Sequence, residues 1–242
     1  MIHHQTLILV PSASLFPEAT ITGTDLSPVQ PAEVPENVHF LVDDATEEDW
    51  MWGPDQFDLV HLANMGPSFS RPKDIMRMAF RHIKPGGYLE WHEIDPRAMC
   101  DDDTLPPMNP DGYSEYPFHD WVDFNERAAK ARDPPRPFRI AHQLIRWMKE
   151  AGYVDVKERI TKIPMNGWPR DRRLKEVGSW AESVWTEGLA AYSYKPFLSL
   201  GLSKIEIEVF LVSVRNSMRN KRIHAYNNLH VVTGRKRQPG EQ

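Results

Sequence analysis

The sequence contains a single cysteine, Cys100. One cysteine excludes an intramolecular disulfide and any zinc site built from several thiolates. Such sparing use of cysteine is typical of proteins from a reducing compartment. The composition therefore predicts an intracellular protein, located in the cytoplasm.

Long apolar segments are also missing. The longest apolar run near the start, Leu7 to Val10, is far shorter than the core of a signal peptide. No stretch approaches the roughly 18 apolar residues that a membrane span requires. We therefore expect no targeting leader and no membrane partner.

The chain has no broad excess of positive charge. Its formal net charge is −5 and its sequence pI is about 6.1, so it lacks the basic field that concentrates nucleic acid. Nucleic acid is therefore not a predicted partner. The basic tail Gly234 to Arg237 is interpreted as a solvated terminus; a nuclear-import or acidic-partner patch is the alternative, which leaves a nuclear location and a protein partner open.

Three motifs are absent as well. None of the 13 glycines stands in a G-x-G relation, and the one adjacent pair is Gly86-Gly87. A glycine-rich loop lets the backbone approach a bound nucleotide closely, so the usual loop of this kind is missing. The sequence has no H-E-x-x-H and no G-x-S-x-G, so zinc hydrolysis and serine hydrolysis have no supporting motif.

What is present is a pattern of strands alternating with helices. With 40% hydrophobic and 26% charged residues, the composition suits one folded domain with its own core. The alternation predicts an α/β fold with a parallel sheet flanked by helices. Strands are expected at Ala19 to Gly23, Val38 to Val42, Phe57 to Leu62 and Tyr88 to Ile94, and a helix at Asp74 to Ile83.

The second half resumes this pattern after an interruption. The stretch Pro96 to Pro137 is rich in proline, acidic residues and aromatics, shows no sustained period, and is interpreted as an insertion or lid. We divide the single domain into residues 1–95, the insertion 96–138 and residues 139–242. Further elements are expected as a helix at Ile140 to Met148, a strand at Val154 to Ile160, a helix at Gly178 to Leu189, a helix from the capping box Ser203/Glu206 to Met218, and a last, antiparallel strand at Leu229 to Thr233.

Acidic residues follow the first two predicted strands. In open α/β sheets, ligands bind beyond the carboxyl ends of the strands. Asp25 could accept both hydroxyls of a ribose there, and Asp44 could accept a hydrogen bond from an adenine amino group. Together they would suit an adenosine group. Aspartate is also a common helix cap in βα turns, and the pattern alone leaves that alternative equally open.

Six longer segments carry a family resemblance, in order and without large gaps. They are FPEATITGTDLSPVQP (16–31), VPENVHFLVDDATEEDW (34–50), FDLVHL (57–62), IKPGGYLEWHE (83–93), IPMNGWPRDRRLKEVGSW (163–180) and VRNSMRNKRIHAYNNLHVVTGRK (214–236). These segments resemble the LaeA-like group of fungal class I S-adenosylmethionine-dependent methyltransferases. The resemblance implies a Rossmann-like, doubly wound sheet and S-adenosylmethionine as the cofactor.

The resemblance also implies roles for individual residues. Asp25 corresponds to the acid that binds the ribose, and Asp44 to the acid that contacts the adenine. Trp50 lies where an aromatic side chain covers the base, with a core position as the alternative. His61 lies near the reactive methyl group and could act as a general base, since histidine accepts a proton near neutral pH. A packing or hydrogen-bonded histidine is the competing interpretation.

Other residues could line the acceptor pocket. His92 and Glu93 follow the fifth strand of the family pattern closely, and a structural role is the alternative for both. The aromatic side chains of the insertion could close over a flat acceptor, or they could form a satellite hydrophobic cluster. These aromatic residues are Tyr113, Tyr116, Phe118, Trp121 and Phe124.

The sequence departs from the family pattern at its N-terminal side. The strand, glycine-rich loop and helix that normally precede Phe16 are missing, and Thr6 to Val10 lies too close to Phe16 for a normal crossover. The fold is therefore expected to be N-terminally incomplete. Ala63 stands where the family often carries an arginine.

We predict methyl transfer to a small-molecule acceptor in secondary metabolism, and keep a non-catalytic accessory or regulator as the alternative.

Overall fold

A computed structural model describes residues 11–28, 33–48, 50–109 and 112–241 of the chain. Its strands form a two-stranded and a four-stranded sheet, and helices pack against the larger one. The predicted strand Thr6 to Val10 lies outside the described residues, and residues 11–15 are helical. Within the described ranges, no helix combines the length and apolar character needed to cross a membrane.

The smaller sheet consists of β1 (Ile21–Asp25) and β2 (Val38–Val42), which run parallel. The predicted strand Val38 to Val42 is confirmed. The strand predicted over Ala19 to Gly23 begins two residues later, because Ala19 still belongs to a turn in which its amide donates to the carbonyl of Phe16. This shift makes Asp25 the last residue of β1 instead of a loop residue beyond it.

The larger sheet has the strand order β3-β4-β6-β5. It consists of β3 (Phe57–Ala63), β4 (Ile83–Met99), β5 (Val154–Pro164) and β6 (Tyr226–Arg235). β3 and β4 are parallel, whereas β6 runs antiparallel to both of its neighbours. The antiparallel last strand is therefore confirmed. All four strands are longer than the sequence predicts, because pairing with their neighbours extends each of them at one end or both.

Besides the helical residues 11–15, five further α-helices pack in the described fold. The predicted capping box is confirmed: the Ser203 amide donates to Glu206 Oε2 at 2.7 Å, and the Glu206 amide donates to Ser203 Oγ at 3.3 Å. The helices are α1 (Pro72–His82), α2 (Phe118–Lys130), α3 (Leu144–Glu150), α4 (Arg172–Ser199) and α5 (Lys204–Arg219), with one-turn 3₁₀ helices at Gly66–Ser68 and Ala141–Gln143.

The segment Pro96 to Pro137, interpreted from the sequence as an insertion or lid without a sustained period, contains regular structure. β4 extends to Met99, and α2 occupies the middle of the segment. The buried positions of α2 recur at helical spacing, so an apolar face was present in the sequence. These positions are Phe118, His119, Trp121, Val122, Asn125 and Ala128.

Two hydrophobic cores hold these elements together. The sheet core lies between the larger sheet, α1 and α3, and contains the fully buried Trp91. The helical core joins α2, α4 and α5 and contains the fully buried Phe118 and Phe197. Because α2 belongs to the helical core, this helix of the predicted insertion is a packed part of the fold.

The two sheets are separate within the described part of the chain. β1 and β2 pair only with each other among the described strands. Neither forms backbone hydrogen bonds with a strand of the larger sheet. A doubly wound sheet of the predicted kind has a central strand at this position.

Candidate cofactor and acceptor site

The first two strands place their acidic residues at one edge of the smaller sheet. Asp25 ends β1 and pairs with Val42, the last residue of β2. The amide of Asp43 donates to the Asp25 carbonyl at 3.0 Å, and Asp44 follows directly. The two predicted cofactor-binding carboxylates therefore lie at the carboxyl ends of adjacent parallel strands, Asp25 on the last residue of β1 and Asp44 two residues after β2, where ligands of α/β sheets bind.

Both carboxylates also form local hydrogen bonds. Asp25 Oδ1 accepts from the Ser27 amide at 3.0 Å, and Asp44 Oδ1 accepts from the amide and the hydroxyl of Thr46 at 2.8 and 2.7 Å. The Thr46 amide, followed by its hydroxyl, lowers the pKa of Asp44 below its ordinary value. These contacts are bonds to the residue two positions later and form local turns; the described residues 26–28 and 45–48 are not helical, so neither aspartate is seen to cap a helix. No described residue donates to either Oδ2 atom, so each aspartate keeps one acceptor oxygen.

Trp50 is half-buried and packs against the sheet core. Its ring stacks on the ring of His82 with a centroid distance of 4.9 Å, and its Nε1 donates to the Ala45 carbonyl at 3.2 Å. These contacts are those expected if Trp50 is a core residue. The hydrogen bond to Ala45 also places Trp50 next to Asp44.

The third predicted group is built by β3 and β4. Register pairs His61 with Glu90, and His92 shares their face of the sheet because it follows Glu90 by two residues. Glu90 Oε1 lies 2.9 Å from His61 Nδ1 and 3.1 Å from His92 Nε2. The neighbouring imidazoles, first His61 through its hydrogen bond and then His92 at 3.1 Å, hold the pKa of the Glu90 carboxyl well below its usual range.

Two nitrogen atoms of this group lack well-directed partners. The Nε2 atoms of His61 and His92 are both buried and accept or donate no hydrogen bond within the described structure. The two rings meet edge to face with centroids 4.7 Å apart. A buried nitrogen without a partner is destabilising unless a ligand satisfies it, so the group is a candidate site and not only a packing contact.

Sequence reasoning identified His61 and His92 but missed Glu90. The alternation of side chains along β4 could have revealed Glu90. In a half-buried strand, residues two apart point to the same face of the sheet. Glu90 and His92 therefore had to point the same way, opposite to Trp91. What the sequence could not supply was the register that sets His61 beside Glu90.

Comparisons with known proteins show the family of the chain. Residues 6–158 match the family described as a methyltransferase domain. The chain is 33% identical over 230 residues to the secondary metabolism regulator LAE1 of Cochliobolus heterostrophus, covering 93% of this chain and 72% of LAE1. The chain belongs to the LaeA-like methyltransferase family.

Two other relatives are named as methyltransferases and not as regulators. The chain is 33% identical to methyltransferase pytC of Aspergillus terreus, with 89% of this chain and 64% of pytC covered. It is 32% identical to the protein-methionine methyltransferase laeA of Emericella nidulans, with 93% and 58% covered. This LaeA-like chain therefore spans roughly three fifths of these two relatives.

Solved structures support the same fold. Phosphoethanolamine N-methyltransferase 2 of Haemonchus contortus, in complex with S-adenosyl-L-methionine, superposes with a TM-score of 0.51 at 15% identity, covering 94% of this chain and 45% of the other. A protein of Anabaena variabilis assigned to methyl transfer in antibiotic biosynthesis has a TM-score of 0.55 at 14% identity, with 92% and 85% covered. The predicted class I methyltransferase fold is confirmed.

Glu93 takes a different place in the LaeA-like fold from its neighbour His92. Its side chain faces the sheet core, where Glu93 Oε2 accepts from the Gly66 amide at 3.1 Å and from Trp91 Nε1 at 3.0 Å. Burial raises the pKa of the carboxyl to about 7, although these hydrogen bonds oppose the shift. The contacts match the structural alternative, in which Glu93 fixes the loop after β3.

The elevated pKa of Glu93 predicts a pH-dependent stability. Because the folded state holds the proton more tightly than the unfolded state, this group stabilises the fold fully below pH 4.5, and the contribution is lost as pH rises to about 7. The wild-type free energy of unfolding should fall by up to about 3 kcal/mol relative to Glu93→Gln across this range. Urea denaturation of both proteins from pH 5 to 8 measures the difference, with the exposed Glu176→Gln as control. A wild-type minus variant difference that stays constant with pH would contradict the prediction.

The aromatic residues of the predicted lid divide into two groups. Tyr116, Phe118 and Trp121 are buried in the helical core, which agrees with the satellite-cluster alternative. Tyr113 is exposed and lines a groove of about 480 Å³ together with Phe124. The three buried rings are therefore part of the folded scaffold and not free to close over an acceptor.

Proposed function

We propose that this protein is an S-adenosylmethionine-dependent methyltransferase of secondary metabolism that acts on a small-molecule acceptor. Membership of the LaeA-like family supports this function, since its relatives include both methyltransferases and secondary metabolism regulators. The observation that carries the proposal is the convergence of Asp25 and Asp44 at one edge of the parallel pair β1–β2.

The residues at that edge fit the adenosine half of the cofactor. Each aspartate uses Oδ1 for its local turn and retains Oδ2 as an acceptor, Asp25 for ribose hydroxyls and Asp44 for the adenine amino group. Trp50 borders the adenine side through its bond to Ala45. When bound, S-adenosylmethionine supplies a methyl group activated by a positively charged sulfur. Without a G-x-G loop, binding depends mainly on the adenosine contacts.

His61 is the proposed proton acceptor for the small-molecule substrate. The Nδ1–H of His61 donates to the Glu90 carboxylate, which leaves Nε2 as the basic nitrogen. Glu90 is then a positioning residue, because it fixes the ring and its tautomer without touching the acceptor. As the acceptor oxygen or nitrogen takes the methyl group, its proton passes to His61 Nε2.

Conservative substitutions test the cofactor site. Asp25→Asn and Asp44→Asn keep the Oδ1 acceptor for the local turn but lose the charge and the second acceptor oxygen. A charged hydrogen bond contributes about 1.5 to 3 kcal/mol, so each variant should bind S-adenosylmethionine at least about tenfold more weakly. Calorimetric titration of the purified chain with S-adenosylmethionine and S-adenosylhomocysteine measures this effect.

The control is Asp58→Asn, an exposed aspartate near the opposite end of β3 that pairs with Lys84. It should bind like the wild type. Equal binding by Asp25→Asn, Asp44→Asn and the wild type would refute the assigned site.

The second candidate function is a non-catalytic regulator that acts with a protein partner in the nucleus. The missing G-x-G motif and the local bonds of Asp25 and Asp44 favour it. If the folded wild type fails to bind S-adenosylmethionine at millimolar concentration, methyl transfer by this chain is excluded. The regulator is then the function to pursue, by capture of partners from fungal nuclei.

A further inference from the structure

The group formed by His61, Glu90 and His92 has the composition of a metal site. One ligand atom from each residue lies within 4.8 Å of the others, and it is the one such trio within the described ranges. We propose that these three side chains bind a divalent transition-metal ion of the Zn²⁺ type. This inference goes beyond the proposed methyl transfer, which needs no metal. With an ion bound at Nδ1, His61 would carry its proton on Nε2, so the metal-bound form is an alternative to the form in which His61 accepts a proton.

The donor set fits such an ion chemically. Two imidazole nitrogens and one carboxylate oxygen are the ligands of open zinc sites, in which three protein ligands leave a further position free. With metal–ligand distances of about 2.0 to 2.2 Å, tetrahedral donors lie roughly 3.3 Å apart. Glu90 Oε1 lies 2.9 Å from His61 Nδ1 and 3.1 Å from His92 Nε2, and all three ligand atoms lie within 4.8 Å of one another, so side-chain rotation would be needed to bring them to this spacing.

An unsatisfied nitrogen strengthens the argument. Buried polar atoms are normally hydrogen-bonded, yet His92 Nε2 is buried and has no hydrogen bond of good geometry in the described structure. A cation would satisfy His92 Nε2 directly and would replace the proton between His61 and Glu90. All three residues lie on paired strands, which hold metal ligands more precisely than loops do.

A comparison within the same sheet shows what is specific about this trio. His230 Nδ1 lies 2.8 Å from Glu158 Oε1 and its side chain is similarly shielded, but the pair has no third ligand. Two protein ligands hold a metal ion far more weakly than three. His230 is therefore the matched control for the effect of removing a buried, carboxylate-bound histidine.

The experiment uses the untagged chain, stripped of metal with a chelator and free of S-adenosylmethionine. Titration with Zn²⁺ by calorimetry should give a stoichiometry of about one. Co²⁺ should develop the visible absorption of an ion with nitrogen ligands and fewer than six neighbours. His92→Phe keeps an aromatic ring but removes the ligand, and should weaken binding at least about tenfold; His230→Phe should bind like the wild type.

Glu90→Gln is the second test variant, since it keeps the shape of the side chain and removes the anionic ligand. Circular dichroism confirms that each variant is folded before titration. Absence of binding to the wild type, or equal Zn²⁺ affinity in the wild type, His92→Phe and Glu90→Gln, would overturn the site. Because the measurement contains no cofactor, its failure is distinct from a failure of S-adenosylmethionine binding.

Discussion

Replacing Arg139 with leucine should lower the free energy of unfolding by about 3 to 5 kcal/mol. Arg139 binds Asp95 through two parallel hydrogen bonds, Nε to Oδ1 at 2.7 Å and Nη2 to Oδ2 at 2.8 Å, and both side chains are mostly buried. Burial opposes ionisation of Asp95, but hydrogen bonds led by that from Arg139 outweigh it and lower the pKa. Without the guanidinium, a buried carboxylate would remain unpaired.

The position of this ion pair explains why the effect should be large. Asp95 lies in the second half of β4, Glu126 lies on α2, and Arg139 contacts both, with Nη1 3.5 Å from Glu126 Oε1. One arginine therefore links the sheet to the segment that the sequence suggested was a lid. Its loss should loosen the junction between the sheet and α2.

Chemical denaturation of three variants tests this prediction. The control, Arg146→Leu, removes an exposed ion pair with Glu150 and should change the free energy of unfolding by at most about 1 kcal/mol. The double variant Asp95→Asn/Arg139→Leu should recover part of the loss, because no unpaired charge stays buried. If Arg139→Leu lowered the free energy of unfolding no more than Arg146→Leu does, the ion pair between Arg139 and Asp95 would not stabilise the fold.

The strands could be predicted from sequence because each is a short apolar run with polar ends. Val38 to Val42 was predicted with its exact bounds, and the other described strands were located correctly but with different ends. Ends are hard to predict because pairing decides them. β4 continues to Met99 since β6 supplies partners as far as Tyr226, more than a hundred residues later in the chain.

Helix α2 was not predicted, although its buried positions recur at helical spacing. Its apolar face was visible at helical spacing, but it lies inside a segment rich in proline and acid, which indicated a loop. The helix is stabilised by burial of Trp121 and Phe118 against α4 and α5, including a 2.8 Å bond from Trp121 Nε1 to Ser193 Oγ. Contacts with residues so distant in sequence are not contained in a local pattern.

For the candidate site, strand ends were predictable and side-chain faces were not. Asp25 and Asp44 were placed correctly at strand ends, since that position follows from local pattern alone. His92 and Glu93 were grouped together although adjacent strand residues point to opposite faces. Consequently Glu93 belongs to the sheet core, and the partner of His61 and His92 is Glu90.

Gly178 lies inside α4 at a position where the helix touches the backbone after β5. A Cβ atom there would lie 2.1 Å from the carbonyl oxygen of Asn166 and 3.0 Å from Pro164 Cβ. The Asn166 segment cannot easily move aside, because its buried side chain donates to the Met218 carbonyl at 2.7 Å at the end of α5. The glycine is therefore required by close packing of three elements and not by helix geometry.

Gly178→Ala should accordingly lower the free energy of unfolding by about 3 kcal/mol or more, as severe overpacking does. Helix propensity alone predicts the opposite sign, a gain of about 1 kcal/mol for alanine over glycine. Gly188→Ala in the same helix is the matched control: its Cβ would meet only the flexible, exposed Tyr192 side chain, so it should be neutral or stabilising. Denaturant titration of both variants separates the two effects. If Gly178→Ala were as stable as Gly188→Ala, α4 would not pack on Asn166 as closely as the structure indicates.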